Sequence, residues 1–446
     1  MSFAYARRDV WIVAACTGIS YAGDFLAETA LTLTLQERGA SGTEIAALLL
    51  ALMVPMVVLA PVAGRIADRY SSRVLLPLIG SAQAVVCVAL AYVTGPAAAI
   101  GLMALLATGL AVTGPTLSAL VPQMVDRERL PRAQATIQTV RGVGILLGPA
   151  LAGLLVGRYG QAVPLLVDAA SFLAVVAAGL FLRTVRRGGS LRDAGTGRVR
   201  GGFDLVRSDP LLVAALVLIS AGIAAVSCDN VGMVFLVRDT LHGSATAYGL
   251  LGALWSVAAI VGGWLLGRRT PGDRGLVTLL VAVVAVFGLT MLGLAAARSV
   301  GWLVPTYVIG GLANGGLNLV IGVLLGRRVP AGARGRVGAI FGGVVNAGTI
   351  IGYAGGGLLL SVVGPRTLFA GSGLVALGVV AALCVPVLRM ARRATTADPV
   401  AAATITAAHP HTAATGAAAH AADPAGADRA GIGSGVDGPG VAPAAS

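Results

Sequence analysis

Long apolar stretches alternate with short polar segments between residues 10 and 388 of the chain. Each stretch has about 20 residues or more, enough for a helix to cross a hydrocarbon core of about 30 Å. Because no water is available there for the backbone polar groups, such stretches must be helices. The pattern predicts twelve spans, at residues 11–35, 45–63, 74–94, 98–121, 133–156, 163–182, 210–237, 247–266, 276–296, 302–325, 337–363 and 367–388. The sequence therefore predicts an all-α polytopic membrane protein.

The composition indicates a chain embedded in a lipid bilayer rather than a soluble one. Apolar residues make up 57% of the chain and charged residues 11%, whereas a soluble domain carries about 25% charged residues. The chain has no Lys, and its formal net charge of +13 comes from Arg residues that fall mostly in short loops. No recognisable module gathers them on one basic face, which argues against nucleic-acid binding.

The Arg residues are concentrated in alternate loops of the twelve-span scheme. One set of loops contains Arg residues at 7–8, 65–73, 127–132, 183–207, 268–274, 327–336 and 389. The opposite set contains only Arg38, Arg158, Arg238, Arg298 and Arg366. Cytoplasmic loops of membrane proteins carry the excess of basic residues. We therefore expect both termini in the cytoplasm and the chain in the plasma membrane.

The chain also repeats itself. Residues 41–64 read SGTEIAALLLALMVPMVVLAPVAG, and residues 244–267 read SATAYGLLGALWSVAAIVGGWLLG. Small residues of the fifth span, Gly144, Gly148, Ala152 and Gly153, recur in the eleventh as Gly348, Gly352, Gly356 and Gly357. The repeat predicts two six-helix bundles, 1–182 and 210–392, a basic cytoplasmic linker, 183–209, and a disordered tail, 393–446. Parallel halves of this kind hold a substrate between them, in a cavity near the bilayer midplane.

A charged motif follows the second predicted span. Residues 64–73 read GRIADRYSSR, with Gly64, Asp68, Arg69 and Arg73 as its characteristic positions. This segment resembles the cytoplasmic loop motif of the major facilitator superfamily. The resemblance implies that Asp68 contacts helix N-termini and Arg side chains of the other half, and that this contact keeps the cytoplasmic side shut in the outward-facing state. The alternative is an ordinary charged loop at the membrane surface.

A second motif lies in the fifth span, where small residues recur every fourth or fifth position. Gly144, Gly148 and Gly153 form one smooth face, and Pro149 removes a backbone donor and can bend the helix. The pattern resembles the span-5 motif of antiporters in the same superfamily, although generic helix packing would also produce it. Gly23-Asp24 and residues 130–133 and 167–169 resemble the branch that contains macrolide and enterobactin exporters. These resemblances favour export.

Four carboxylic acids fall inside predicted spans, and three of them are candidates for the transport mechanism. A carboxylate in the bilayer is costly, so it normally faces a cavity or a partner. Asp24 lies near the middle of the first span, and Glu28 lies one turn further along the same helix. Asp229, followed by Asn230, lies in the seventh span, which lines the central cavity in the superfamily together with the first. Our hypothesis makes Asp24 the main proton-coupling group, with Glu28 and Asp229 assisting or binding a cationic substrate; a structural role for Asp24 is the alternative.

Three further polar residues are candidates for substrate contact. Arg141 lies inside the fifth span and can pair with an acid, bind an anionic group or serve the structure alone. Asn314 and Asn318 share one face of the tenth span, where they can bind substrate or join helices. For Asp168, in the sixth span, we expect a structural role.

The function that fits these features is proton-driven export of small amphipathic organic molecules such as a drug, an antibiotic or another metabolite. Uptake or facilitated diffusion of a small solute is the main alternative. A membrane enzyme or a non-transporting sensor fits less well, because His242 is the only His before the tail and a sensor needs no acid in the cavity. We expect no metal or cofactor, and a monomer, since one half can rock against the other.

Overall fold

The computed structural model describes residues 3–126, 128–182, 197–268 and 272–383. The helices are α1 (Phe3–Glu37), α2 (Gly42–Val58), α3 (Ala60–Arg69), α4 (Ser72–Tyr92), α5 (Pro96–Met124), α6 (Leu130–Tyr159), α7 (Ala162–Phe181), α8 (Gly197–Ser208), α9 (Pro210–Val226), α10 (Asp229–Phe235), α11 (Ala245–Gly267), α12 (Asp273–Ala295), α13 (Val300–Arg328), α14 (Arg334–Leu360) and α15 (Pro365–Leu383). A π-helical turn, Leu236–Thr240, follows α10, and a 3-10 turn, Ala331–Ala333, precedes α14.

The membrane-spanning pattern agrees with the sequence. Within the described residues, eleven helical segments are long and apolar enough to span a membrane, and the bent pair α2–α3 makes a twelfth. The prediction of an all-α polytopic fold is confirmed. The predicted tail, 393–446, lies outside the described residues, as does the linker segment 183–196. The rest of the linker forms α8, which packs against α9 and α14.

Serine side chains begin the two repeated segments. The N–H of Ser41 donates to Glu44 Oε2 at 2.7 Å, and the N–H of Glu44 donates to Ser41 Oγ at 3.3 Å. This reciprocal capping box satisfies two backbone donors at the start of α2. At the start of α11, Ser244 Oγ accepts from the N–H of Ala247 at 3.1 Å. The repeated sequences therefore begin two helices with the same kind of cap.

The second predicted span, 45–63, is not a single straight helix. The structure divides it into α2 and α3, which meet at Leu59 with a bend of 55°. Pro55 lies inside α2 and Pro61 lies in the first turn of α3. Because proline lacks an N–H and its ring clashes with the preceding turn, two prolines this close favour a bend.

The seventh predicted span, 210–237, is interrupted at Ser227 and Cys228, between α9 and α10. Ser372 of α15 donates a hydrogen bond to the carbonyl of Ala225, just before the break. Gly352 of α14 lies so close that a Cβ there would stand 2.5 Å from Ser227 Cβ. A broken helix is tolerated inside a membrane where protein groups satisfy its backbone or it lines a cavity. The sequence analysis did not predict this break.

Two main apolar cores hold the described helices together. The larger core is formed by buried residues between positions 10 and 182, with Val231, and contains the fully buried Phe172. A second core is formed by residues between 206 and 341 and contains Phe341. The halves that the repeat predicts thus each have a substantial core of their own.

The repeated glycines occupy equivalent places in the two halves. A Cβ on Gly148 of α6 would meet Phe25 and the carbonyl of Ala22, both on α1. A Cβ on Gly352 of α14 would meet Ser227 and the carbonyl of Ala224, at the end of α9. Small residues on α6 and α14 therefore let each helix approach the first span of its own half.

The next glycines of the repeat join the halves to each other. Gly153 of α6 lies against Ala245 and Gly249 of α11, with the Ala245 carbonyl 2.5 Å from where a Cβ would stand. In the equivalent contact, Gly357 of α14 lies against Gly42 and Ala46 of α2. Both contacts lie near the starts of α2 and α11. We call this side of the bundle the Ser41 end and the opposite side, with residues 64–73, the Arg73 end.

The close glycine contacts between the halves lie at the Ser41 end. Gly342 and Gly343 lie on α14 nearer the Arg73 end, and a Cβ on either would meet no described atom within 4 Å. The same holds for Gly142 on α6. Along both helices, the tight glycine contacts therefore run from about the middle of the helix to the Ser41 end.

Candidate functional site

A cavity of about 460 Å³ lies between the halves. Its wall is formed by side chains of α1, α6, α10, α11 and α13, which come from both halves of the chain. Its size falls in the range of about 300–1,000 Å³ that is typical of small-molecule sites. Besides its aromatic residues, the wall contains the polar residues Glu28, Thr29, Asp229, Asn230, Ser256 and Asn314.

Two of the three acids singled out from the sequence line this cavity. Glu28 projects from α1, and Asp229 is the first residue of α10, directly after the break in the seventh span. Tyr307 of α13 donates a hydrogen bond to the Asp229 carboxylate. The other oxygen of this group, Oδ1, is buried and accepts no hydrogen bond from any described residue. Asp229 thus presents a carboxylate with spare accepting capacity beside the cavity.

Aromatic side chains form much of the remaining wall. Phe25, Tyr248, Trp255 and Tyr307 line the cavity. The rings of Trp255 and Tyr307 lie edge to face, with centroids 5.6 Å apart and an interplanar angle of 68°. Trp255 also stacks on Phe287, with centroids 6.3 Å apart. Tyr307 therefore belongs both to the aromatic part of the wall and to the hydrogen bond with Asp229.

Tyrosines connect the surroundings of the two acids. Tyr248 and Tyr353 both lie within electrostatic range of the Glu28 and Asp229 carboxylates. Neither tyrosine was among the site residues predicted from the sequence. A signal was present in the repeat, where Tyr248 replaces Ile45 and Tyr353 replaces Pro149. A polar aromatic residue at a position that is apolar in the first half indicates a function that only the second half has.

Asp24 has a different environment from Glu28. It is not among the residues that line the cavity, and it lies near Asp168 of α7. Asp168 is fully buried, and it accepts hydrogen bonds from Ser171 Oγ at 3.0 Å and from Cys87 Sγ at 3.1 Å. A Cβ on Gly23 would run into Asp168 Oδ1, so α1 approaches α7 closely here. Of the pair on α1, therefore, only Glu28 contributes to the cavity wall.

The other polar candidates are divided between the cavity and its surroundings. Asn230 and Asn314 line the cavity, whereas Asn318 lies outside its wall and donates to the carbonyl of Asn314 at 2.9 Å. Arg141 also lies outside the wall, with its guanidinium 4.3 Å from the centre of the Tyr21 ring. Among the described residues its hydrogen-bond partner is Gln138, at 3.4 Å, rather than an acid.

The two sequence motifs lie at different levels of the bundle. Gly64, Asp68 and Arg69 belong to α3, and Arg73 lies in the first turn of α4, at the Arg73 end. The span-5 motif lies deeper: Gly144 and Gly148 pack on α1, Gly153 packs on α11, and Pro149 lines the cavity. The span-5 glycines thus have a packing role on both sides of the cavity, and the functional roles of both motifs stay predictions.

A helical membrane protein with a cavity between two repeated halves has the architecture of a secondary transporter. Residues 13–304 match the model of the Major Facilitator Superfamily, and the chain belongs to this family. It is therefore a multi-span membrane transporter, and the resemblance to the major facilitator superfamily is confirmed, whereas the resemblance to the exporter branch stays a prediction.

Known proteins support this assignment at different levels. The uncharacterized MFS-type transporter YfiS of Bacillus subtilis (strain 168) is 23% identical over 385 residues, which are 81% of this chain and 89% of that protein. A crystal structure of a mutant of the nucleoside transporter NupG has a TM-score of 0.70 at 14% identity, covering 86% of this chain and 99% of that one. A POT family transporter in complex with 5-aminolevulinic acid has a TM-score of 0.69 at 13% identity, covering 86% and 96%. At these identities, the two solved structures show the fold alone.

Proposed function

We propose that this transporter exports small amphipathic organic molecules in exchange for protons, by alternating access of the central cavity to the two sides of the plasma membrane. The observation that carries the proposal is the presence of Glu28 and Asp229 in the wall of one cavity between the halves. A carboxylate in such a place can bind a proton in one conformation and release it in the other. The described chain contains both halves of the cavity, so we expect a monomer to suffice.

The distribution of Arg supports an orientation for this cycle. The Arg-rich loops favour a cytoplasmic position for the Arg73 end and for both termini. The Ser41 end then faces outside, and the glycine contacts between α6 and α11 and between α2 and α14 close the cavity on that side. This arrangement supports an assignment to the conformation that receives substrate from the cytoplasm.

The exchange follows from the cost of an unpaired charge in the membrane. Substrate enters from the cytoplasm and displaces protons from the cavity acids, and the halves then rock to release it outside. Protons bind the emptied carboxylates from the outer side, which makes the return of the unloaded cavity less costly because both acids are then neutral. One turn along α1, Asp24 lies beside Asp168 and remains our candidate for a coupling group that acts behind the cavity wall.

The direction of transport rests on the motif resemblances. The span-5 pattern of Gly144, Gly148, Pro149 and Gly153 is similar to that of antiporters. Helix α6 carries this pattern and packs on α1 in its own half and on α11 in the other half. A change in the bend of α6 would therefore move both contacts. The similarity of other segments to macrolide and enterobactin exporters also favours export over uptake.

Inverted membrane vesicles with an acidic interior test the proposal. A pH-sensitive dye reports proton release when amphipathic cations, neutral macrolides or siderophores are added. We expect a transported compound to discharge the gradient with the wild-type protein and with Glu44→Gln, an acid at the exposed start of α2, but not with Asp229→Asn. If radiolabelled substrate enters the vesicles without any proton release, facilitated diffusion replaces this proposal. If the substrate moves only in the direction that corresponds to entry into the cell, uptake replaces it.

A further inference from the structure

The wall of the central cavity contains two acidic side chains and, among its described residues, no basic side chain to balance them. Glu28 and Asp229 both line it, and the described residues of the wall include no Arg, Lys or His. Arg141 lies on the same helix as the wall residue Pro149, but its guanidinium lies over the ring of Tyr21, outside the wall. Charge in a low-dielectric site calls for a partner of opposite sign. A ligand can supply that partner.

Both acids face a common region. Tyr248 and Tyr353 each lie within electrostatic range of both carboxylates, which places Glu28 and Asp229 around the same tyrosines. Asp229 accepts a hydrogen bond from Tyr307, and its Oδ1 is buried and accepts none from the described residues. One positively charged centre in this region would therefore interact with two carboxylates and relieve an unsatisfied acceptor.

The rest of the wall indicates the size and nature of such a ligand. A cavity of about 460 Å³ is far larger than a metal ion requires, and it fits an organic molecule. Trp255 and Tyr307 present a pair of rings, and Phe25 lies beside Glu28 on α1. Aromatic faces attract organic cations through the ring quadrupole and also pack against apolar groups.

We propose that the cavity selects organic cations. The positively charged centre lies between Glu28 and Asp229, and the aromatic or alicyclic body of the ligand packs against Trp255 and Tyr307. Asn230 and Asn314, on the same wall, are available to neutral polar groups of the ligand. This assignment names the substrate class of the transporter and rests on the function proposed above.

A pair of ions with the same size and shape but opposite charge isolates the contribution of charge. Binding of tetraphenylphosphonium and of tetraphenylborate is measured by equilibrium dialysis with the full-length protein in a non-ionic detergent, with empty micelles as the blank. We expect tetraphenylphosphonium to bind at least about tenfold more tightly than tetraphenylborate, and Glu28→Gln/Asp229→Asn to lose that preference. Glu44→Gln should bind both ions as the wild type does.

Equal binding of the two ions, or tighter binding of the anion, overturns the proposal, and so does unchanged cation binding in the double variant. The comparison of the two ions on the wild type needs no variant, and Asp229→Asn alone serves where the double variant does not fold. Because no gradient is present, the result does not depend on direction or on proton coupling. If the protein binds the cation but releases no protons in vesicles, proton antiport is rejected and the cation preference stands. If neutral compounds drive proton release and the protein shows no preference for the cation, only the cation preference is rejected.

Discussion

Arg238 Nη2 donates to Glu37 Oε1 at a distance of 2.5 Å, which joins the π-helical turn after α10 to the last residue of α1. Beside this pair, Gln36 Nε2 donates to Asp239 Oδ1 at 2.6 Å. Arg238 also donates to the carbonyl of Gly243 at 3.0 Å, which fixes its position in the turn. Two polar contacts thus link the first span of each half across the Ser41 end.

The Glu37–Arg238 pair should bias the protein toward closure of the Ser41 end. The two side chains are 39% and 24% exposed, and exposed pairs contribute about 0–1 kcal/mol. We expect Glu37→Gln to increase the open population by up to about fivefold. The reaction rate of a membrane-impermeant maleimide with Thr246→Cys, at the contact of α6 and α11, measures this population in a chain whose native cysteines are replaced.

The exchanged pair Glu37→Arg/Arg238→Glu is the matched control for that experiment. It keeps the attraction but reverses its direction, so the labelling rate should return toward that of the parent chain. If the exchanged pair labels as fast as Glu37→Gln, another property of these side chains, and not their attraction, controls closure.

Gly249 should be required for closure of the same end. A Cβ at this position would overlap the carbonyl of Pro149 and stand 2.9 Å from the Cα of Gly153. Both neighbours are backbone atoms that cannot rotate away, and overpacking of this kind costs about 1–3 kcal/mol. We expect Gly249→Ala to increase labelling of Thr246→Cys and to slow transport about tenfold or more.

The control for Gly249→Ala is Gly157→Ala, on the facing helix α6. A Cβ there would stand 3.5 Å from Thr246 Oγ1, which is an ordinary contact. This variant should transport at the wild-type rate, measured in the same vesicles without the Thr246→Cys change. A normal rate for Gly249→Ala would show that the close approach of α6 and α11 is not needed during the cycle.

The order of the spans could be predicted from the sequence because it depends on local properties. Apolar length defines the spans, and Ser41 and Ser244 mark the starts of two equivalent helices. The glycine repeat indicated a face for close helix packing, and in the structure Gly148 and Gly352 each meet the first span of their own half. These features could be predicted because they depend only on the hydrophobicity and volume of single residues.

The composition of the cavity wall could not be predicted in the same way. Asp24 and Glu28 are one turn apart, yet only Glu28 lines the cavity, because the tilt and packing of α1 decide which side chain faces it. The hydrogen bond from Ser372 to the carbonyl of Ala225, beside the interruption before Asp229, joins residues that lie far apart in the sequence. A low aromatic content of 5% gave no indication that Tyr307 and Trp255 would meet beside the acids.

Gly23 should be sensitive to the smallest enlargement. A Cβ there would overlap Asp168 Oδ1 and stand 2.5 Å from Ser171 Oγ, inside the buried contact of α1 and α7. We expect Gly23→Ala to lower the free energy of unfolding by about 1–3 kcal/mol, seen as a lower melting temperature in detergent. Gly101→Ala, where a Cβ would meet no described atom within 4 Å, should melt close to the wild type.

A double-mutant cycle tests the cause of that effect. Asp168→Ala removes the atom that Gly23→Ala would meet, so the two changes together should destabilise the protein less than the sum of the single changes, by about 0.5 kcal/mol or more. Additive losses would mean that Gly23 is needed for the backbone of α1 and not for its approach to Asp168.

Asp24 and Glu28 should give different transport phenotypes, since they face different surroundings. Glu28 lines the cavity, so Glu28→Gln should weaken both substrate binding and proton release. Asp24 lies outside the wall beside Asp168, so Asp24→Asn should slow proton-coupled export but leave the dissociation constant of the substrate within about twofold of the wild-type value.

Two measurements separate these outcomes: equilibrium binding in detergent, and dye-reported proton release from inverted vesicles. Asp168→Asn is the companion variant, because an amide keeps one acceptor for Ser171 or Cys87 but cannot take up and release a proton as a carboxylate does. If Asp24→Asn exports substrate with proton release at the wild-type rate, Asp24 has no coupling role, and exchange depends on the cavity acids Glu28 and Asp229. If instead Asp24→Asn and Asp168→Asn both bind substrate normally and both lose proton release, protons travel through the buried pair behind the wall, and the cavity acids serve to bind the substrate.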